Sequence, residues 1–287
     1  MADRREGAAP GPQIDRRALL LVPGLTLLLA VFLVPLILMA VRSVTDPSPR
    51  NYLVFIDGDV PTRVLAHTFS VAVVTTLVCL GLGYPYAYAM HKGSGRIAAV
   101  LTIALLLPFW SSVLVRAYAW LVLLRDTGVI NGLLVKTGLI DKPLPLVRTT
   151  TAVVIGMAHI LLPFMVLPVY AAMQRIDASL LPAAAGLGAS PASAMWKVFV
   201  PLTLPGVYAG SLLVLILSLG FYVVPAMLGG PRSLMFAELI VGKVYDELEF
   251  GVGSALAIIL VAVALVAIGI GSRFFRIGDA MGQGDIR

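Results

Sequence analysis

Six stretches of this chain are each apolar for long enough to cross a lipid bilayer, which narrows the fold more than any other feature. A helix rises about 1.5 Å per residue and a hydrocarbon core is about 30 Å thick, so roughly 20 mostly apolar residues are needed per crossing. The runs lie near 18–41, 66–90, 97–124, 150–173, 202–228 and 251–272. Backbone polar groups cannot stay unpaired in lipid, and the sequence lacks the short alternating segments of a barrel, so all six are expected to be helices. With 59% of the 287 residues hydrophobic, 13% charged and a mean hydropathy of +0.97, the chain does not describe a water-soluble core. The expectation is an all-α integral-membrane domain over 18–272, with tails at 1–17 and 273–287.

An even number of crossings puts both termini on one side. Arg16 and Arg17 resemble the basic start of a signal peptide, but the apolar run after them is too long and Arg42 follows without a small-residue cleavage site, so the first helix is expected to be retained. Counting lysines and arginines gives eleven on the side of the termini and nine on the other, Arg116 being intramembrane. Four of the eleven precede the first run, which favours cytoplasmic termini. The net charge of +6 is scattered at the ends of the runs, where it meets lipid headgroups, rather than gathered on a face for nucleic acid. The single cysteine, Cys79, lies within a run; it offers no disulfide, redox pair or metal cluster and reads as a packing residue.

The fourth and fifth runs are separated by SLLPAAAGLGASPASAMWKVFVPLTLPG, Ser179 to Gly206, rich in small residues and proline. Asp177 or Ser179 is suited to cap a short helix, with Pro182 tolerated in its first turn. Gly188 is suited to end that helix in the left-handed conformation, and Ser190-Pro191 to restart another as cap and first residue. Alanines 183, 184 and 185 leave a nearly bare surface. On the residues alone, this element fits both a docking surface for a cytoplasmic partner and a loop packed on its own spans.

No Gly-x4-Gly-Lys-Ser/Thr loop is present, so the chain is not expected to hydrolyse ATP; Lys136-Thr137 lacks the preceding glycine. Nor is there a His-Glu-x-x-His, a cysteine cluster or a Gly-x-Ser-x-Gly elbow to support a membrane hydrolase. Polar groups within spans are costly and need a partner or a wet cavity. Arg116 fits a pore or gate, or a side chain snorkelling to the outer headgroups or paired with an acidic loop residue; His159 fits a substrate contact or a bond across helices. Trp110, Tyr118 and Trp120 fit an interfacial belt or a cation-π surface around Arg116. Tyr222 and Glu238 complete the candidate pathway, and Asp246, Glu247 and Glu249 are candidate contacts on the outer connection, an ordinary solvated loop being the alternative. Residues 128–139 suit a short interfacial helix, with Asn131 and Lys136 on its other faces. Pro35, Pro85, Pro108, Pro163 and Pro168 predict kinks or local unwinding.

Ala183-Ala184, Gly188, then Val198, Val200 and Pro201 resemble the signature loop of ATP-binding-cassette importer permeases, Glu-Ala-Ala, three residues, Gly, nine residues, Ile-x-Leu-Pro. One departure is Pro182 at the position of the signature glutamate. LLLPFWSSVLVRAYAWLVLLRDTGVINGLL, Leu105 to Leu134, and PAMLGGPRSLMFAELI, Pro225 to Ile240, look like the spermidine/putrescine-type branch, which also serves iron, thiamine, phosphonates and opine-like or amino-acid derivatives. The resemblance implies a type I importer permease of six helices in a bacterial inner membrane, with the coupling loop at 174–201 made by Pro182, Ala183, Ala184, Gly188, Ser190, Val198, Val200 and Pro201. It implies no cofactor or metal on this chain, with ATP and Mg used by two separate ATPase subunits. It also implies a second, homologous permease of different sequence and a periplasmic binding protein that delivers a polyamine or related charged solute. A membrane enzyme or scaffold without a transport role is the alternative of another class. A secondary carrier is disfavoured because no paired internal repeats are found.

Overall fold

The computed structural model describes residues 22–56 and 58–282, with side chains to Arg273; the tail at 1–17 and the last five residues lie outside this range. All the secondary structure among the described residues is helical, the helices being joined by turns and by a longer connection at 137–149. Helix α1 is Val22–Thr45, α2 Asp59–Lys92, α3 Gly95–Leu106, α4 Val113–Leu124, α5 Val129–Lys136 and α6 Thr150–Gln174. Then follow α7 Leu180–Gly186, α8 Pro191–Leu219, α9 Val223–Leu228, α10 Phe236–Tyr245 and α11 Phe250–Gly282. Five are long and apolar enough to span, and Gly95–Trp110 with Val113–Lys136, bent by 100° at the break between them, meets the same requirement as a pair.

Contacts at the helix ends fix the directions. Arg42, late in α1, lies 5.5 Å over the Phe250 ring at the start of α11, so these helices run opposite ways. His67 of α2 meets Thr150 of α6 at 3.2 Å, and the Phe236 N–H donates to Thr68 Oγ1 at 2.8 Å. One face of the molecule therefore gathers the end of α1, the starts of α2, α6 and α11, and the α9–α10 connection. On the opposite face, which receives both described ends of the chain, Tyr84 and Tyr88 of α2 meet Thr203 and Phe199 of α8. Since α2 and α6 run parallel, the bent α3–α4 pair has to carry the chain back between them.

The core sits on α6, flanked by α2 and α8. Met157, Leu161, Met165, Val169 and Met173, four apart, bury one face of α6 against Val71, Cys79, Ala87 and Met90 of α2 and Val214 of α8. In lipid such contacts depend on close packing rather than on expulsion of water, which favours small residues between helices. Gly206 meets this need: a Cβ there would lie 2.5 Å from the Ala172 Cβ and 2.6 Å from the Pro168 carbonyl oxygen.

The break expected at Pro108 is present: Pro108 sits in a 3₁₀ turn, Leu107–Trp110, and Ser112 restarts the helix by accepting from the Leu114 N–H at 3.3 Å. The last span covers the expected 251–272, and its helix runs on to Gly282. One expectation needs correction: the fifth run does not continue to 228, because α8 stops at Leu219 and α9 begins afresh at Val223.

Candidate functional site

Two regions carry the residues singled out in the sequence. The first is the connection from α6 to α8. Asp177 accepts the Ser179 N–H at 2.8 Å, a bond that holds its carboxyl below the usual range and sets the turn into α7. Pro182 is the third residue of α7, where its missing N–H leaves no bond unmade. Gly188 has φ +87°, and around it the Gly188 N–H donates to Ala185 O at 2.9 Å and the Ala189 N–H to Ala184 O at 3.0 Å. These two bonds make a Schellman cap, which satisfies carbonyls at the end of α7. Ser190 Oγ then accepts the Ser193 N–H at 3.3 Å and Pro191 opens α8.

The second helix of this connection does not stop at 201 before the span. It runs on into it through a π-helical turn, Met195–Phe199. Phe199 is buried there, its ring 5.6 Å from Tyr88 and 5.5 Å from His91 at the end of α2. Pro182, Ala183, Gly188, Ser190 and Pro201 are exposed, while Ala184, Val198 and Val200 are half-buried. Two further residues, not identified from the sequence, stand furthest out: Leu187 is 91% exposed and Trp196 71%. A rigid, capped helix with an apolar outer surface, joined to a span by a buried aromatic, can transmit a push from a partner into the bundle.

The second region lies where α4 crosses α6. Arg116, one turn into α4, is only 9% exposed; its guanidinium lies 5.7 Å over the Phe109 ring, and Nε has no hydrogen-bond partner. Trp120, one turn further, packs edge-on to His159 of α6 at 5.8 Å, and Phe109 meets Phe164 at 5.7 Å. His159 also lines a cavity of about 110 Å³ with Tyr86, Pro108 and Pro163. The bend at Pro108 thus brings Arg116, Trp120 and His159 together. Trp110, 83% exposed, and the exposed Tyr118 face away, so the aromatic partner of Arg116 is Phe109 rather than these two. Nor does Arg116 snorkel to the surface, being buried against its own neighbours.

On the face opposite the chain ends, Tyr222 sits partly exposed at the α8–α9 break. Glu238 accepts the Met235 N–H at 2.8 Å, capping α10; burial pushes its carboxyl up, and this bond partly offsets the shift. Lys243 bonds Glu247 at 2.6 Å and Glu249 at 3.1 Å, which pushes its ammonium up, so two of the three candidate contacts are already paired. Asn131 is not on an outer face of α5. It is fully buried, donates to Arg125 O and Leu144 O at 3.1 and 3.0 Å, and accepts the Leu144 N–H at 2.8 Å. Among the described residues, no cluster of ligands suited to a metal ion is found.

Comparison with known proteins bears on the family and the fold. A family model described as "Binding-protein-dependent transport system inner membrane component" matches residues 17–276. The spermidine/putrescine transport system permease protein PotB of Escherichia coli (strain K12) is 37% identical over 201 residues, 70% of this chain and 73% of that protein. The inner membrane ABC transporter permease protein YdcU of the same organism is 36% identical over 222 residues, 71% and 68% of the two chains. Among solved structures, a chain of a bacterial alginate ABC transporter, in complex with an alginate pentasaccharide-bound periplasmic protein, superposes with a TM-score of 0.75 over 91% of this chain and 94% of its own, at 17% identity.

Proposed function

The chain belongs to the family of binding-protein-dependent transport system inner membrane components, and from that premise we propose that it forms half of the path by which an ATP-driven importer moves a polyamine across the membrane. As a permease subunit of an inner-membrane ABC importer it is not itself an enzyme, and its work depends on an ATPase and a binding protein. The polyamine reading is supported by one observation, the 37% identity over 70% of the chain to a permease named for spermidine and putrescine. The second half of the path is a homologous permease of different sequence, and ATP with Mg is used only by the two ATPase subunits.

In this mechanism the ATPase subunits close on ATP, and α7 moves with the cleft that holds it. The displacement passes through the Schellman turn and Phe199 into α2 and α8, so the bundle tilts toward the binding protein; hydrolysis reverses the movement. Coupling of this kind is a rigid-body shift between two packings. The test is uptake of labelled spermidine and putrescine into proteoliposomes holding the whole importer. Saturable uptake that needs both ATP and the binding protein is expected. Transport of a different solute, with no uptake of either polyamine, would overturn the substrate and leave the family standing.

A further inference from the structure

Where α1, α10 and α11 meet, they leave an open-sided groove of about 510 Å³ whose walls change character with depth. Pro35, Leu38 and Arg42, three and four positions apart, share one face of α1, and Phe250, Ser254 and Ala257 share the facing side of α11. Arg42, three residues before the end of α1, lies over the ring of Phe250, the first residue of α11, so its guanidinium stands at the mouth, on the face opposite the chain ends. Ser254 lies one turn further in, about 6 Å along α11. It is only 8% exposed, yet it lines the groove and its hydroxyl makes no hydrogen bond among the described residues. Beyond it the lining is apolar, down to Ala257 and to Pro35, which lies about 10 Å below Arg42 along α1. Arg42 takes part in no ion pair among the described residues. Near the mouth, Glu249 is held by Lys243, and Asp46, whose backbone carbonyl packs against Gly251, sits one turn beyond Arg42 on the water side.

Cation, free hydroxyl and apolar wall follow one another from the membrane boundary inward, in the order of the phosphate, ester and acyl chain of a glycerophospholipid. Asp46, outside the cation, suits an ammonium group beyond the phosphate and disfavours a headgroup that is only anionic. We infer that this groove holds a zwitterionic glycerophospholipid. Arg42 donates to the phosphate, a geometry that guanidinium groups favour. Ser254 Oγ donates to an ester carbonyl, which satisfies a hydroxyl otherwise unpaired in lipid. One acyl chain lies between Leu38 and Ala257 toward Pro35. A small soluble anion would use the mouth and leave the apolar wall bare, and a protein helix would cover that wall without bringing a phosphate to Arg42. Among the described residues α1 packs chiefly on α11 and the turn after its own end, so a lipid wedged beside it would fasten the first helix to the bundle. The inference stands on the membrane placement of the chain and not on its cargo.

The test uses the whole importer, purified in mild detergent, stripped of lipid and given a phosphatidylethanolamine with a photoreactive group on its acyl chain. Illumination is expected to label peptides of α1 and α11 around Leu38 and Ala257. Unlabelled phosphatidylethanolamine is expected to displace the probe better than phosphatidylglycerol with the same chains. Arg42 is exposed, so Arg42→Gln leaves the core intact; it is expected to weaken labelling about tenfold, the lower range for a hydrogen bond to a charged group. Ser254→Ala weakens it less, and Phe250→Leu, which keeps the cation, leaves it near wild type. The inference is overturned if the label falls elsewhere, if Arg42→Gln does not change it, or if phosphatidylglycerol competes as well as phosphatidylethanolamine. It is also overturned if Phe250→Leu does as much harm as Arg42→Gln, which would make the arginine a clamp between helices rather than a ligand. Cross-linking of a Leu38→Cys variant to the second permease would show that a protein helix fills the groove, and would overturn it too.

Discussion

Gly188 is the point at which a backbone conformation, rather than a side-chain contact, is expected to decide transport. Its φ of +87° lies in the left-handed region, and a Cβ built there would meet nothing within 4 Å, so the chain itself has no steric objection to a side chain. The penalty for substitution is therefore that of the left-handed backbone, about 1–2 kcal/mol for an ordinary L-residue, more for a β-branched one and less for asparagine. An equilibrium shift of that size depopulates the capped turn by about 5- to 30-fold. The two Schellman bonds that fix α7 against the start of α8 would be lost in the same proportion. Gly188→Asn is expected to transport near the wild-type rate, Gly188→Ala several-fold slower and Gly188→Val slower still, with equal amounts in the membrane. The assay is initial ATP-dependent uptake in proteoliposomes, normalised to permease content. A fully active Gly188→Val, or an Asn variant as damaged as Val, would refute the conformational argument; the latter outcome would mean that a partner surface excludes any side chain.

Other substitutions test packing and electrostatics. Asn131→Ala removes three buried hydrogen bonds and strands their Arg125 and Leu144 backbone partners, so a loss of about 2–4 kcal/mol is expected, read as faster proteolysis between α4 and α6. Gly206→Leu forces α6 and α8 apart and is expected to lower the thermal midpoint in detergent by several degrees, whereas Gly81→Ala, with open space around it, leaves the midpoint unchanged or higher. Glu238 is half-buried with a raised pKa, so its stabilisation is greatest below the ordinary carboxylate range and is lost as pH rises through the folded value. Glu238→Gln keeps an acceptor for the Met235 N–H, so it is expected to melt at or above wild type at pH 7.5 and to converge with it as the pH falls toward 4.5, the ordinary glutamate value.

Much of the fold was legible because lipid allows so few answers. Run lengths gave the crossings, and the Ser190-Pro191 and Gly188 signals gave the caps of the coupling connection, since each has a strict local backbone requirement. The break in the third run followed from Pro108, which cannot continue a helix, and Ser112 supplies the restart as its cap. Phe199 carried no such sign, because an aromatic in an apolar row looks the same whether it faces lipid or anchors a loop. For Arg116 and Asn131 the residue type was conspicuous but the direction was not. Whether each faces outward or inward depends on which other helices pack against α4 and α5, which local periodicity does not encode.

The most direct measurement is mild purification of the tagged chain from its native membrane, with every co-purifying protein identified. An ATPase together with a second permease of different sequence, in stable stoichiometry, is the expected result. Recovery of the chain folded and alone, time after time, would contradict its role as half of an ATP-driven importer.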